Sequence, residues 1–145
     1  MIILVGFSKP SFQEYIHLIH ACIRVATPFV LIAPYSTPFE LGHAFTVTNP
    51  TYLFADESLL ELVLPVANKS GINSKNVFIL KQRRKETKVE DRKGCLDIIK
   101  DVKRRNTKTV DVRSATRDTL AYLIFSSGTS GLPKGDYVSL SSAAS

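Results

Sequence analysis

The 145 residues predict an α/β fold, on three observations. Apolar runs of strand length recur along the chain: MIILVGF at 1–7, FVLIA at 29–33, NVFIL at 76–80 and LAYLIF at 120–125. Unbroken runs of this kind suit strands covered on both faces. Between them lie segments whose apolar residues recur every three or four positions, the period of an amphipathic helix. The composition, 44% hydrophobic and 22% charged, is that of a soluble globular chain and excludes collagen-like or disordered classes. Such a length supports one core that buries roughly 70% of the surface of the extended chain. Strands alternating with helices make the class α/β.

Residues 1–7 carry no basic residue before them and no small-residue cleavage site after them, so they read as a strand and not as a signal peptide. From 12 to 26, Phe12, Tyr15, Ile16, Ile19, Cys22, Ile23 and Ala26 form a helical stripe, with Ser11 placed to cap it and Glu14 three residues on. Pro28 limits that helix, and 29–33 is the next strand. The stretch APYSTPFELGH at 33–43 holds two prolines and a glycine and reads as a loop, followed by a short strand at 44–47. Asp56 or Ser58 opens a helix through Leu59, Leu60, Val63 and Ala67 that stops at Gly71, with Pro65 inside it costing about 3 kcal/mol unless the helix kinks or starts late. After the strand at 76–80, residues 81–93 have almost no apolar content and read as a solvated loop. Leu96, Ile99 and Val102 then mark a short basic helix over 95–105. The strand at 120–125 leads into a Ser/Gly-rich segment, and 136–145 offers one short strand and a frayed end.

The formal charge of +6 is concentrated. Residues 81–108 hold 12 basic side chains against five acidic ones, so the rest of the chain is close to neutral. That stretch could meet nucleic acid or an acidic membrane face. It has no Phe, Tyr or Trp to stack on bases, so a solvated connection is the simpler reading and no nucleic-acid partner is expected. Cys22 and Cys95 read as reduced core residues. Glu14, His17 and His20 share a helix at spacings of three, but no second cluster completes a metal shell. His43 falls in the loop with no nucleophile near it. No 18-residue apolar run exists, so no membrane span is expected. The location implied is intracellular, cytoplasmic or peroxisomal.

The chemistry concentrates in Ser126-Ser127-Gly128-Thr129-Ser130-Gly131-Leu132-Pro133-Lys134-Gly135. Glycines let a backbone approach a ligand closely, and hydroxyls with successive N–H groups supply donors. One lysine charge about 4 Å from a phosphate oxygen, at a surface dielectric, is worth on the order of 4 kcal/mol before desolvation. A strand entering a Gly-rich loop is the usual nucleotide address of an open α/β sheet. It is not a Walker A loop, because Pro133 precedes Lys134 and Gly135 follows it. Composition alone favours a polar surface hairpin, since Ser/Gly-rich turns are common.

The string YLIFSSGTSGLPKG closely resembles the phosphate-binding signature of the adenylate-forming acyl ligase superfamily, which includes acyl-CoA synthetases and coumarate-CoA ligase-like enzymes. Weaker echoes lie at 41–52, similar to a stretch ending in an Asn-Pro-x-Tyr turn, and at 57–72, similar to a later helix ending in Gly-Ile. The resemblance covers about residues 29–135. It implies part of the large N-terminal α/β domain as a single unit over 1–145, with 81–108 a basic connection and 136–145 a divergent tail. It implies ATP, with magnesium, activating a carboxylic acid as an acyl-adenylate for transfer to CoA. Ser126, Ser127, Gly128, Thr129, Ser130, Gly131 and Lys134 would hold the β- and γ-phosphates; no catalytic or metal-ligating residue is implied.

The resemblance also has departures. None of the seven glycines sits in a Tyr-Gly-x-Thr-Glu segment for adenine or a Thr-Gly-Asp segment for ribose, and a C-terminal lid is missing. Asp136 follows the signature where an acid would repel phosphate. Tyr52 runs at once into Leu53, where the family would first place a Thr-x-x-Glu-Leu helix. The sequence therefore implies a truncated form that keeps the phosphate loop and is inactive alone. A non-catalytic interaction protein and a basic nucleic-acid module remain as alternatives.

Overall fold

A computed structural model describes residues 1–6, 12–80, 92–126 and 134–139. In chain order these form β1 (Ile2–Val5), α1 (Phe12–Arg24), β2 (Phe29–Ile32), α2 (Pro38–Thr48), β3 (Tyr52–Asp56), α3 (Leu60–Lys69), β4 (Val77–Leu80), α4 (Cys95–Arg104), β5 (Leu120–Ser126) and β6 (Lys134–Ser139). Short 3-10 turns at Glu57–Leu59 and Ser74–Asn76 precede α3 and β4. The strands make one sheet in the order β4-β3-β1-β2-β5-β6. Five run parallel, and β6 returns antiparallel to β5.

Side-chain alternation along the strands divides the core in two. Ile3 and Val5 of β1, with Val30, Leu53 and Ile79, face Leu41, Phe45 and Val63 of α2 and α3. Leu4, Phe29 and Phe54 face the other way, onto Tyr15 and Cys22 of α1 and the inner edge of α4. Ile3, Val30, Leu53 and Ile79 are fully buried, and each contributes about 1.5–3 kcal/mol by leaving water. Phe54 stacks on Phe78 with ring centroids 5.0 Å apart, and Phe29 on Tyr122 at 5.6 Å. The expected α/β class is therefore what the chain forms, with helices on both faces of a mostly parallel sheet.

Residues 33–43 are not a loop throughout, and 44–47 is not a strand: Pro38–Thr48 is one helix, α2. Thr37 and Glu40 close a capping box, Pro38 occupies the first turn, and Leu41, Ala44 and Phe45 bury a face at the i, i+3, i+4 spacing of a helix. Thr37-x-x-Glu40-Leu41 is thus the start of a helix that lies before β3. Residues 52–56 form β3, whose last four residues are buried. Asn49 ends α2 in the left-handed region at φ 41°, a conformation its short polar side chain tolerates.

The other elements lie close to their expected bounds. α1 ends at Arg24, so Ala26 lies beyond it; Ser11 is outside the described residues. Pro65 sits in the interior of α3, which begins after a turn capped by Asp56. The Asp56 carboxylate accepts from the Ser58 amide at 3.1 Å and the Ser58 hydroxyl at 2.7 Å. Residues 81–91 of the basic stretch lie outside the described residues. The end of that stretch is anchored, since Gly94 bridges to Ile79, and the Ile79 amide donates to the Lys93 carbonyl at 3.1 Å.

Candidate functional site

The parallel strands all point their carboxyl ends to one edge of the sheet. In open α/β sheets that edge, outside the strand ends, is where ligands bind. β5 delivers Ser126 there, and Lys134 opens β6 directly opposite, in register with it. Strand β5 is held in the sheet by parallel pairing with β2, antiparallel pairing with the edge strand β6, and the buried Leu123. The signature is thus mounted between two hydrogen-bonded strands. Ser127, Gly128, Thr129, Ser130 and Gly131 lie in residues 127–133, outside the described residues.

Lys134 and Gly135, read from sequence as part of the turn, are the first residues of β6. Gly135 pairs with Phe125, and a Cβ there would meet the Phe125 ring at 3.4 Å, an ordinary contact distance. Lys134 is exposed, as is Asp136. Asp136 pairs with Ile124, one strand repeat further from the turn, which puts it about 7 Å from Lys134 along the chain. Between the acid and the mouth of the turn stands the lysine.

Beside this edge, a cleft of about 410 Å³ opens at the ends of β2 and β5, lined by Ala33, Tyr35, Ser36, Thr37, Glu40 and Phe125 among others. Its wall is rigid at the start of α2. The Thr37 amide and hydroxyl donate to Glu40 Oε2 at 2.7 and 2.9 Å, and the Glu40 amide donates to Thr37 Oγ1 at 3.3 Å. The backbone donor of Thr37, then its hydroxyl, hold the Glu40 carboxyl below the usual carboxylate range. Phe125 closes the back of the cleft, with His43 of α2 edge-on to it at 6.4 Å. His43 is therefore a helix residue against an aromatic ring and not a loop residue. The cleft residues were missed because 33–43 was read as loop; the Thr37-Glu40 spacing with Pro38 between them was the signal that could have found them.

Other candidates do not assemble. Glu14 is buried, while His17 and His20 are exposed on the outer side of α1, so the three do not converge. Among the described residues no group of three His, Cys, Asp or Glu is placed to hold a metal ion. Cys22 and Cys95 are free thiols, Cys22 fully buried. Burial pushes Cys22 up to about 11, and burial with the nearby Glu14 charge pushes Cys95 up to about 12. No described helix is long and apolar enough to cross a membrane.

Ser126 and Lys134 thus flank residues 127–133 at the strand-end edge of the sheet. Comparison with known proteins gives the family. The chain belongs to the AMP-binding enzyme family, whose sequence profile matches residues 4–145. ATP-bound MatB from Rhodopseudomonas palustris is 22% identical, with a TM-score of 0.68 over 96% of this chain and 24% of that one. A long-chain-fatty-acid-CoA ligase from Archaeoglobus fulgidus is 23% identical, with a TM-score of 0.69 over the same shares. The anthranilate CoA ligase AuaEII, solved with anthranoyl-AMP, is 16% identical at a TM-score of 0.70, over 96% of this chain and 23% of that one. The chain thus spans about a quarter of the length of these structures, and its sheet and helices match the N-terminal domain of adenylate-forming enzymes. No curated protein sequence matches it.

Proposed function

We propose that this chain serves the ATP-dependent activation of a carboxylic acid as an acyl-adenylate, for transfer to CoA, and that its own share is to hold the triphosphate. The observation that carries this reading is the mounting of the signature. A family match over 4–145 coincides with a parallel strand, anchored by the buried Leu123, that ends at Ser126 and an antiparallel partner that starts at Lys134. Lys134 neutralises the β- and γ-phosphates, and Ser126, Ser127, Thr129 and Ser130 donate hydroxyl protons to their oxygens. Gly128 and Gly131 let the backbone close in. As a carboxylate attacks the α-phosphorus, charge builds on the departing pyrophosphate, and donors already fixed around it lower the barrier. Magnesium and CoA belong to the same proposal.

Titration of the 145-residue chain with a fluorescent ATP analogue tests it. Binding is expected to weaken at least about tenfold, or 1.4 kcal/mol, in Lys134→Ala, since the bare charge term is larger before desolvation. The polypeptide alone is expected to bind without supporting ATP–pyrophosphate exchange on added carboxylic acids. Equal affinity in the wild type, Lys134→Ala and Thr129→Ala would remove the phosphate role, and robust exchange would remove the inactivity.

A further inference from the structure

Helix α4 covers only part of its apolar surface in the fold. Cys95 and Ile98 pack against the cluster under α1, yet no residue of α4 is buried. Leu96, Ile99 and Val102, at spacings of three, are 38%, 47% and 42% exposed, and just beyond the helix Val110 and Val112 are 60% and 64% exposed. An amphipathic helix of a globular domain normally turns such a stripe inward.

The charge around the stripe is one-sided. Lys103 lies four residues after Ile99 and seven after Leu96, and Lys100 lies four after Leu96, so both flank the apolar side chains. Both lysines are exposed. The two acids of the helix are committed elsewhere. Asp97 accepts from the Gly94 amide at 2.9 Å, and Asp101 is bound by Lys93 at 2.8 Å, Arg104 at 2.7 Å and Arg105 at 3.1 Å. The Asp101 charge is matched by three cations and Asp97 is engaged at the helix start, while Lys100 and Lys103 stand exposed beside the stripe.

We propose that α4 docks on an anionic lipid surface, with Leu96, Ile99 and Val102 entering the headgroup boundary and Lys100 and Lys103 meeting lipid phosphates. This is the arrangement by which basic amphipathic helices lie in a membrane interface. Nucleic acid would use the charge but not the apolar stripe, and residues 92–108 have no aromatic side chain to stack on bases. A second copy would use the stripe but bring two basic surfaces together. An anionic bilayer satisfies both features at once.

The chain contains no tryptophan, so Ile99→Trp is a clean reporter at an exposed position. With vesicles of phosphatidylcholine and phosphatidylglycerol in equal parts, its emission should shift to the blue and the protein should co-sediment; pure phosphatidylcholine should give neither. Each lysine neutralised should weaken partitioning about fivefold, hence about 25-fold for Lys100→Gln with Lys103→Gln. Leu96→Ser should weaken it in wild-type charge background, with far-UV circular dichroism confirming that these exposed changes leave the fold intact. Unshifted emission at saturating vesicle overturns the proposal. So does vesicle binding indifferent to Leu96→Ser, equal competition by RNA, or a concentration-dependent dimer that the same substitutions dissolve.

Discussion

Gly6 ends β1 at the carboxyl edge of the sheet, and its replacement by alanine is a severe test of the packing there. Its φ is +65°, and a Cβ would come within 2.5 Å of Leu59 Cδ1 and 3.1 Å of Pro34 Cβ. Holding alanine in the left-handed region costs about 1–2 kcal/mol, and overpacking adds about 1–3 kcal/mol, for about 2–5 kcal/mol in all. The Gly6 amide is also pinned to the Ile32 carbonyl at 2.8 Å, so the chain cannot swing aside without losing that bond. Gly71 supplies the control: φ is +76° with nothing within 4 Å of its virtual Cβ, so only the conformational part remains. In urea melts followed by circular dichroism, the midpoint should fall in both variants, and about twice as far or more in Gly6→Ala, at unchanged slope. Equal shifts would show that the Leu59–Pro34 contact gives way freely, and the steric part of the reasoning would be wrong.

Thr37→Ala removes the capping box of α2 and should cost about 1 kcal/mol in the same melts; no loss would mean that the Pro38 turn holds the helix start unaided. Because the Glu40 carboxyl is held below its ordinary range, its contribution is present above the ordinary carboxylate value and lost as pH falls through the folded one. Acid melts of wild type and Thr37→Ala should therefore converge. Pro65→Ala lets residue 65 donate to the Glu61 carbonyl and should raise stability by about 1–3 kcal/mol, read as a higher urea midpoint; an unchanged midpoint would mean that α3 has already adapted to the ring. The raised thiols act in the opposite pH direction to Glu40. Their stabilising share is complete below the ordinary thiol value and is lost as pH rises toward about 11 for Cys22 and about 12 for Cys95. Cysteine reagents at pH 8 should label the folded chain slowly and the urea-unfolded chain fast, and prompt labelling of the native protein would contradict the burial.

Much of this fold was legible because buried parallel strands advertise themselves. Phe29–Ile32 and Val77–Leu80 are unbroken apolar runs, since helices cover both faces of the sheet there; residues 120–125 are such a run as well, although Ile124 is 44% exposed. α2 was hidden for the converse reason. Pro34 before it and Pro38 and Gly42 within it look like loop punctuation, while Pro38 in fact sits in the first turn, where it loses no hydrogen bond, and a Cβ at Gly42 would only touch Val66 Cγ1 at 3.7 Å. β3 was hidden because the alignment of Tyr52 with a turn consumed its first residue.

By itself, the sequence determined the α/β class, the phosphate signature and the concentration of positive charge, because each is written in contiguous residues. Tertiary structure alone decided what those residues face. Pairing of β5 with both β2 and β6 puts Ser126 opposite Lys134 at the carboxyl edge of the parallel strands, and places Asp136 a strand repeat away. Packing of α4 through Cys95 and Ile98 leaves Leu96, Ile99 and Val102 38% to 47% exposed beside the exposed Lys100 and Lys103. Local pattern names the helix and the strand; which side meets water depends on neighbours distant in the chain.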